Sequence, residues 1–266
     1  MIARVSALHV YPIKSCAPWT VDEAVVGPRG FDGDRRWMVV DAQGRFITAR
    51  KQPRLVLIRA EAAGAGLRLQ APAMPSQRLH AAPDLPRISA QVWESTVQAQ
   101  AGCPEADAWI SRFLGQSARF VHMDAACVRS VSADYGDEGD EVSFADGFPL
   151  LLISQAALDG LNERLAMPVP MLRFRPSLVV AGTAPHAEDD WCRIRVGAIE
   201  FDVVKPCTRC VFTTVDLEHG TFDPAGEPLK TLMGYRRTPK GVRFGQNLIP
   251  RGRGVLRVGD AVEVLQ

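Results

Sequence analysis

The sequence has little lysine and no surplus of charge. Its 31 basic side chains are arginines apart from Lys14, Lys51, Lys205, Lys230 and Lys240, and 30 acidic residues oppose them for a formal net charge of +1. This excludes a globally basic nucleic-acid binder, for which a domain pI above about 9 is usual. So few lysines also make each one worth inspecting for function. Long hydrophobic runs are missing as well. The longest, at 148–153 and 177–181, fall far short of the ~20 residues that cross a bilayer as a helix, so no membrane span is expected. Residues 1–20 lack a basic stretch followed by an apolar one, which argues against a secretory signal and for a cytoplasmic protein. Common enzyme signatures are absent: there is no GxGxxG after a strand, no GxxxxGKS/T, no HExxH and no GxSxG. Of six cysteines only Cys207 and Cys210 form a CxxC, and the five histidines are scattered. A structural zinc site, which needs a second ligand pair, is therefore poorly supported.

What the sequence does have is length and turn punctuation. With 266 residues, 47% of them hydrophobic, it has room for one large domain or two interlocked smaller ones, and it is not a disordered chain. Short apolar runs separated by Gly, Pro and Asp predict strands at 4–10, 54–60, 66–70, 88–92, 96–99, 178–180, 193–196, 199–204, 210–215 and 248–250. A hairpin is predicted over 37–48, turning at 41–44, and a second tight hairpin over 255–265. Helices are predicted over 104–114, from apolar spacing at Ala108, Trp109, Phe113 and Leu114, and over 155–165, where Ser154 has N-cap chemistry. The acidic, glycine-bearing stretch within 124–147 reads as a long exposed loop. Many short strands with a few helices predict a mainly β or α+β protein and not a doubly wound sheet.

Four clusters carry chemistry. Tyr11-Pro12-Ile13-Lys14-Ser15-Cys16 follows a strand, and an ammonium with a hydroxyl at a strand end suits an anion. The plain alternative is a surface lysine beside a turn proline. Gly33-Asp34-Arg35-Arg36-Trp37 opens a strand, where successive side chains point to opposite faces, so at most one of the two arginines enters a given pocket. In Arg173-Phe174-Arg175-Pro176-Ser177 two guanidiniums two residues apart share a face, which is good phosphate chemistry. In Lys205-Pro206-Cys207-Thr208-Arg209-Cys210 two thiols lie among cations, and a neighbouring cation favours the thiolate, the form that attacks or binds metal. A lone cysteine is ordinarily a small buried apolar residue. Two thiols beside two cations make inert packing the poorer account. The residues alone leave a thiolate ligand or nucleophile, with anion-binding groups elsewhere, and name neither metal nor substrate.

These clusters belong to a longer collinear series: YPIKSC, GDRRWMVVD, TARKQPRLVLI, FRPSLVV, AEDDW, CTRCVFTTVD, EPLKTLMGYR and FGQNLIP. Together they resemble the MOSC-domain proteins that carry a MOSC N-terminal β-barrel-like domain, in particular the group of the mitochondrial amidoxime reducing component and its bacterial relatives. The resemblance runs from about residue 3 to the C-terminus. It implies a β-barrel-like MOSC core over 116–266, a smaller β-rich MOSC N-terminal domain over 1–115, and a few short helices. It also implies a molybdenum cofactor, Mo-molybdopterin, whose metal takes one protein cysteine, and the family's C-x-R-C motif puts that ligand at Cys210. Cofactor-anchoring positions of the family match Lys14, Ser15, Arg35, Arg175, Thr208 and Arg209, and a cofactor-lining stretch matches Asp146, Gly147 and Phe148. The sequence departs from the family in having Gly147 and Phe148 where small hydroxyl residues are common, and Ser177 where Asn often follows Arg-Pro. The implied activity is that of an oxidoreductase converting N–OH to N–H in N-hydroxylated substrates. Electrons are expected from a separate partner, ferredoxin-like or flavin- and haem-based, because the sequence has no C-x4-C-x2-C signature and no length for an appended electron-transfer domain. Two other readings are open: a molybdenum-cofactor or sulfur carrier using Cys210 or Cys207, and an anion-binding β-barrel with inert cysteines.

Overall fold

Apolar side chains at every second position build the largest element of the molecule. The computed structural model describes residues 2–266. Strands Arg4–Val10, Trp19–Val21, Leu150–Ser154, Leu178–Ala181, Arg193–Val196, Ile199–Arg209, Arg237–Thr238, Gly241–Pro250 and Val262–Val264 form one nine-stranded sheet. Leu150 and Leu152, Leu178 and Val180, Ile194 and Val196, and Ile199 and Phe201 each share a face, as the two-residue period of a strand requires, and pack with Val5, Leu8 and Leu248 into one core. The sheet curls on itself. Val5 N–H donates to the Asp260 carbonyl at 2.9 Å and Val262 N–H to the Ala3 carbonyl at 2.8 Å, which joins strand Arg4–Val10 to the approach of strand Val262–Val264.

The other half has its own core. Strands Trp37–Val40, Arg119–His122, Ser95–Ala101 and Ile88–Val92 form a four-stranded sheet, and Arg59–Ala63, Gly66–Gln70 and Gln77–Leu79 a three-stranded one. Helix Pro104–Leu114 packs on this half through Ala106, Trp109, Ile110 and Phe113, spaced three and four apart so that they share a face. Pro104 starts the helix where no N–H is needed, and Gly115 ends it in left-handed backbone at φ 67°. The two halves are interleaved: strand Arg4–Val10 pairs with Leu178–Ala181, and Glu23–Gly27 pairs with Gly254–Arg257. Among the described residues no helix is long and apolar enough to cross a membrane.

The architecture is the expected β-rich α+β one, with helices at Pro104–Leu114 and, shorter than expected, Gln155–Asn162, where the Ser154 side chain accepts from Ala157 N–H. Several local expectations differ. Residues 53–57 form a 3-10 turn because Pro53 cannot donate to a ladder, and the strand begins only at Arg59. Residues 45–48 join their neighbours through isolated pairings such as Val40 with Phe46 and form no strand. Strand Ile199–Arg209 runs past Val204, and a 3-10 turn, Val211–Thr214, takes the place of a strand over 210–215. Gly254–Arg257 and Val262–Val264 are no hairpin, because Val5 exchanges hydrogen bonds with Gly259 and Asp260 and so separates the two arms. The acidic stretch is only partly an exposed loop. Val142, Ser143 and Phe144 are buried, and Arg251 gathers Asp137 and Asp140.

Gly30 shows how tightly the elements near the site are fitted. It lies at φ 91°, and a Cβ there would stand 2.5 Å from the Pro149 carbonyl oxygen, whereas Gly139, at φ 93°, has open space. Left-handed backbone costs an alanine about 1–2 kcal/mol. Gly30→Ala is expected to lose that amount plus the cost of the backbone clash, clearly more than Gly139→Ala, and urea denaturation of both variants checks the ordering.

Candidate functional site

A cavity opens where four segments border the large sheet and a loop of the other half reaches over to them. Lys14 and Ser15 follow strand Arg4–Val10, while Asp146, Gly147 and Phe148 precede Leu150–Ser154. Arg173 and Arg175 precede Leu178–Ala181, and Cys207, Thr208 and Arg209 end the strand Ile199–Arg209, with Cys210 next. Arg35 and Arg50 come from the other half. Every residue expected to form a site lines this cavity except Ser177. That side chain is fully buried behind it, accepting from Leu151 N–H at 3.3 Å and lying 3.5 Å from Arg35 Nη1. Ser177 therefore supports the lining residues from behind.

Three lining residues have left-handed backbone: Ser15 at φ 70°, Arg35 at φ 47° and Arg175 at φ 56°. Such conformations cost of order 1–3 kcal/mol in residues other than glycine and cluster where the surroundings hold the chain to a purpose. Here they turn the chain sharply beside the strands, so that side chains distant in sequence meet. Arg173 and Arg175 accordingly sit on a 3-10 turn, Met171–Phe174, and its left-handed cap, not on one face of a strand as expected. Arg35 lines the cavity and its neighbour Arg36 does not.

So many cations in one place need anions or π-faces among them. The Arg35 and Arg175 guanidinium carbons lie 4.2 and 4.1 Å from the ring centre of Tyr11, which is fully buried. The electron-rich ring face attracts both. Arg35 also donates to Asp34 at 2.6 Å. Asp146 takes Lys14 on one oxygen at 2.6 Å and Arg50 on the other at 2.5 Å. Burial pushes the Lys14 ammonium down to about 8, with Asp146 drawing it back up. Burial alone would raise Asp146, but the charges of Lys14 and Arg50 hold its carboxyl well below the usual carboxylate range. Burial likewise lowers Arg175 to about 10, and it pushes the Tyr11 hydroxyl up to about 12 against the pull of Arg175 and Arg35.

Not every donor is satisfied. Arg175 Nη2, Arg209 Nε and Arg173 Nε are buried without a partner among the described residues. Each such orphan costs about 1–3 kcal/mol. All three belong to guanidiniums that line one cavity, and the guanidinium fork is of a shape that matches phosphate. The thiols lie in the same cavity: Arg50 Nε donates to Cys210 Sγ at 3.3 Å, and Arg209 Nη1 to Cys207 Sγ at 2.8 Å. Among the described residues no group of three or more His, Cys, Asp or Glu converges to hold a metal ion. The thiols of the cavity are those of Cys207 and Cys210, and a thiolate is a donor that suits soft transition metals.

Arg50 was not legible as a site residue. It lies inside the run TARKQPRLVLI without being singled out there, and only the fold brings residue 50 to Asp146 and Cys210. Arg129 gave no signal either. It donates to the Ser143, Ala145 and Asp146 carbonyls at 2.9, 2.6 and 2.8 Å, fixing the loop that presents Asp146. Asn247, within FGQNLIP, also lines the cavity.

A family model described as "MOSC N-terminal beta barrel domain" matches residues 2–117, and one described as "MOSC domain" matches residues 139–263. The chain is similar to mitochondrial amidoxime-reducing component 1 of Mus musculus, at 36% identity with 99% of this chain and 83% of the relative covered. The Homo sapiens protein of the same name is 34% identical over the same shares. Mitochondrial amidoxime reducing component 2 of Rattus norvegicus is 35% identical, covering 98% of this chain and 83% of its own.

The charge balance at Asp146 has a pH signature. Its carboxyl is held below the unfolded value of about 4, so its contribution to stability is complete above that pH and is lost as the pH falls through the acid range. Asp146→Asn is expected to be less stable than wild type at pH 7, with the gap narrowing as the pH falls below about 4. Urea denaturation at several pH values checks it, and a gap independent of pH would contradict the assignment.

Proposed function

The chain belongs to the family that joins a MOSC N-terminal β-barrel domain to a MOSC domain, and from that premise we propose that it is a molybdenum-cofactor-dependent reductase of N-hydroxylated compounds. The observation that carries this reading is a thiol, Cys210, in a cavity whose buried guanidinium donors lack partners. The similar proteins are named for amidoxime reduction.

The residues present fit the cofactor. Its phosphate matches the open donors of Arg173, Arg175 and Arg209, with Lys14, Ser15, Arg35 and Thr208 completing the cradle. Asp146, Gly147 and Phe148 line the same space. Cys210 is the protein ligand to the metal, and Cys207, tied to Arg209, stands beside it. When bound, the cofactor supplies the two-electron redox chemistry that cleaves the N–O bond. In balance, an N–OH group with two electrons and two protons yields N–H and water. Asp146 is ionised at neutral pH, so it orients Lys14 and Arg50 and donates no proton. Lys14 Nζ donates to the Phe144 carbonyl and to Asp146, which holds its ammonium in place at the cavity wall. A separate electron-transfer protein, ferredoxin-like or flavin- and haem-based, supplies the electrons. The six cysteines are free, in keeping with a reducing compartment such as the cytoplasm, although the relatives are named as mitochondrial.

Expression in a host that makes the cofactor tests the reading. Wild type is expected to carry about one molybdenum per chain, given a single thiolate ligand position, and to reduce benzamidoxime with reduced methyl viologen. Cys210→Ala is expected to lose both the metal and turnover, while Cys207→Ala keeps the metal. No molybdenum in wild type, or equal molybdenum in Cys210→Ala, sinks the ligand assignment. A loaded protein that turns over no amidoxime points instead to a cofactor or sulfur carrier.

A further inference from the structure

A second, wider cavity of about 820 Å³ adjoins the first and shares Arg50, Asp146, Gly147 and Phe148 with it. That volume is of the size that takes a small organic molecule. Phe46, Trp93, Tyr135 and Phe148 give its otherwise polar wall four aromatic rings. Trp93 sits at the tip of the hairpin formed by Ile88–Val92 and Ser95–Ala101, and Tyr135 and Phe148 stand edge to face with ring centres 5.7 Å apart. Trp93 is 45% exposed, and its exposure is built in. Its backbone has φ 53°, an outlier for so bulky a residue. The conformation is held by an indole N–H bond to Asp146 at 3.3 Å, by the Arg50 guanidinium 4.7 Å from the ring centre, and by Phe46 at 5.2 Å.

The charges of this cavity differ in kind from those of the first. Arg50 is engaged by Asp146 and Arg129 by backbone carbonyls. Lys51 and Lys205 line the cavity with no carboxylate within ion-pair distance among the described residues. Lys205 is half-buried, with its ammonium 4.3 Å from the Tyr135 ring centre. The acids Glu94 and Asp134 are exposed and carry no ion pair among the described residues. A half-buried ammonium resting on an aromatic face, without a counter-ion, is a place for the anion of a ligand whose ring packs on the same walls.

We propose that this outer cavity seats the unreduced part of the substrate and selects planar aromatic N-hydroxylated compounds that carry an anionic substituent, with Trp93 as the stacking platform and Lys205 as the anion partner. The proposal rests on the reductase reading above and adds to it the substrate class.

The test compares benzamidoxime, 4-carboxybenzamidoxime and 4-(aminomethyl)benzamidoxime on molybdenum-loaded protein at fixed ionic strength. The carboxylate is expected to have a KM at least about fivefold below that of the cationic analogue, the scale of one charge-assisted contact. In Lys205→Gln the difference is expected to disappear, and Trp93→Ala is expected to raise KM more for the aromatic substrates than for acetamidoxime. Binding is read independently of turnover by titrating the same protein with the product, 4-amidinobenzoate. Quenching of tryptophan fluorescence is expected in wild type and not in Trp93→Phe. Equal KM values for anion and cation, or a preference that survives Lys205→Gln, overturns the proposal while leaving the reductase reading standing. If none of the amidoximes is turned over the reductase reading fails, and the titration alone then decides whether the cavity takes an anionic aromatic ligand.

Discussion

The repulsion among cations gathered in one cavity is the constraint on which the rest of the structure depends. Two unit charges about 4 Å apart near a protein surface repel by roughly 4 kcal/mol at an effective dielectric of 20. Lys14, Arg35, Arg50, Arg173, Arg175 and Arg209 line a common space, and only a few carboxylates stand among them. The chain resolves this with groups that are fixed before any ligand arrives. The Tyr11 ring takes two guanidiniums on its π-system, Asp34 is buried against Arg35, and Asp146 divides its two oxygens between Lys14 and Arg50. Main-chain carbonyls of Cys16, Phe144 and Arg175 take further donors. What these groups leave uncompensated is the set of orphaned guanidinium N–H groups.

The same constraint explains why the backbone is left-handed at Ser15, Arg35 and Arg175. A regular strand would carry each of these residues onward in its sheet, with alternate side chains turned away from the cavity. A sharp local turn lets several elements deliver one side chain each. Rigidity comes from what surrounds the turns: the packed barrel on one side, the core around Trp109 and Phe120 on the other, and the fully buried Tyr11 beside Arg35 and Arg175. The strain at Ser15, Arg35 and Arg175 persists because the interleaved halves hold the turns in place.

How much of this was legible in the sequence follows from the range of each signal. Helix Pro104–Leu114 was readable in its extent because apolar spacing is a local signal, although Ala108, expected on the apolar face, is exposed and Ala106 and Ile110 are buried in its stead. Alternation revealed most strands. It did not reveal that Val5 separates the arms of the last apparent hairpin, because a pairing between residue 5 and residues 259–260 leaves no local trace. The site divides in the same way. Lys14, Arg35, Arg175 and Cys210 stand in dense, unusual clusters and could be picked out together with their neighbours. Trp93 and Arg129 sit in ordinary surroundings, Arg50 lies unmarked within TARKQPRLVLI, and all three gain their contacts only when the fold brings residue 146 to them.

Arg50 shows why that dependence matters. Its guanidinium touches the Cys210 sulfur, the Asp146 carboxylate and the Trp93 ring, so it belongs to the inner and the outer cavity alike. It comes from the half matched by the N-terminal barrel domain, while Cys210 and Asp146 come from the half matched by the MOSC domain. Neither half contains the cavity by itself, and the strand exchange that interleaves them brings its walls together. A chain with a net charge of +1 can therefore present a strongly cationic centre. Further acids lie elsewhere on the surface, as in the Arg251–Asp137–Asp140 cluster.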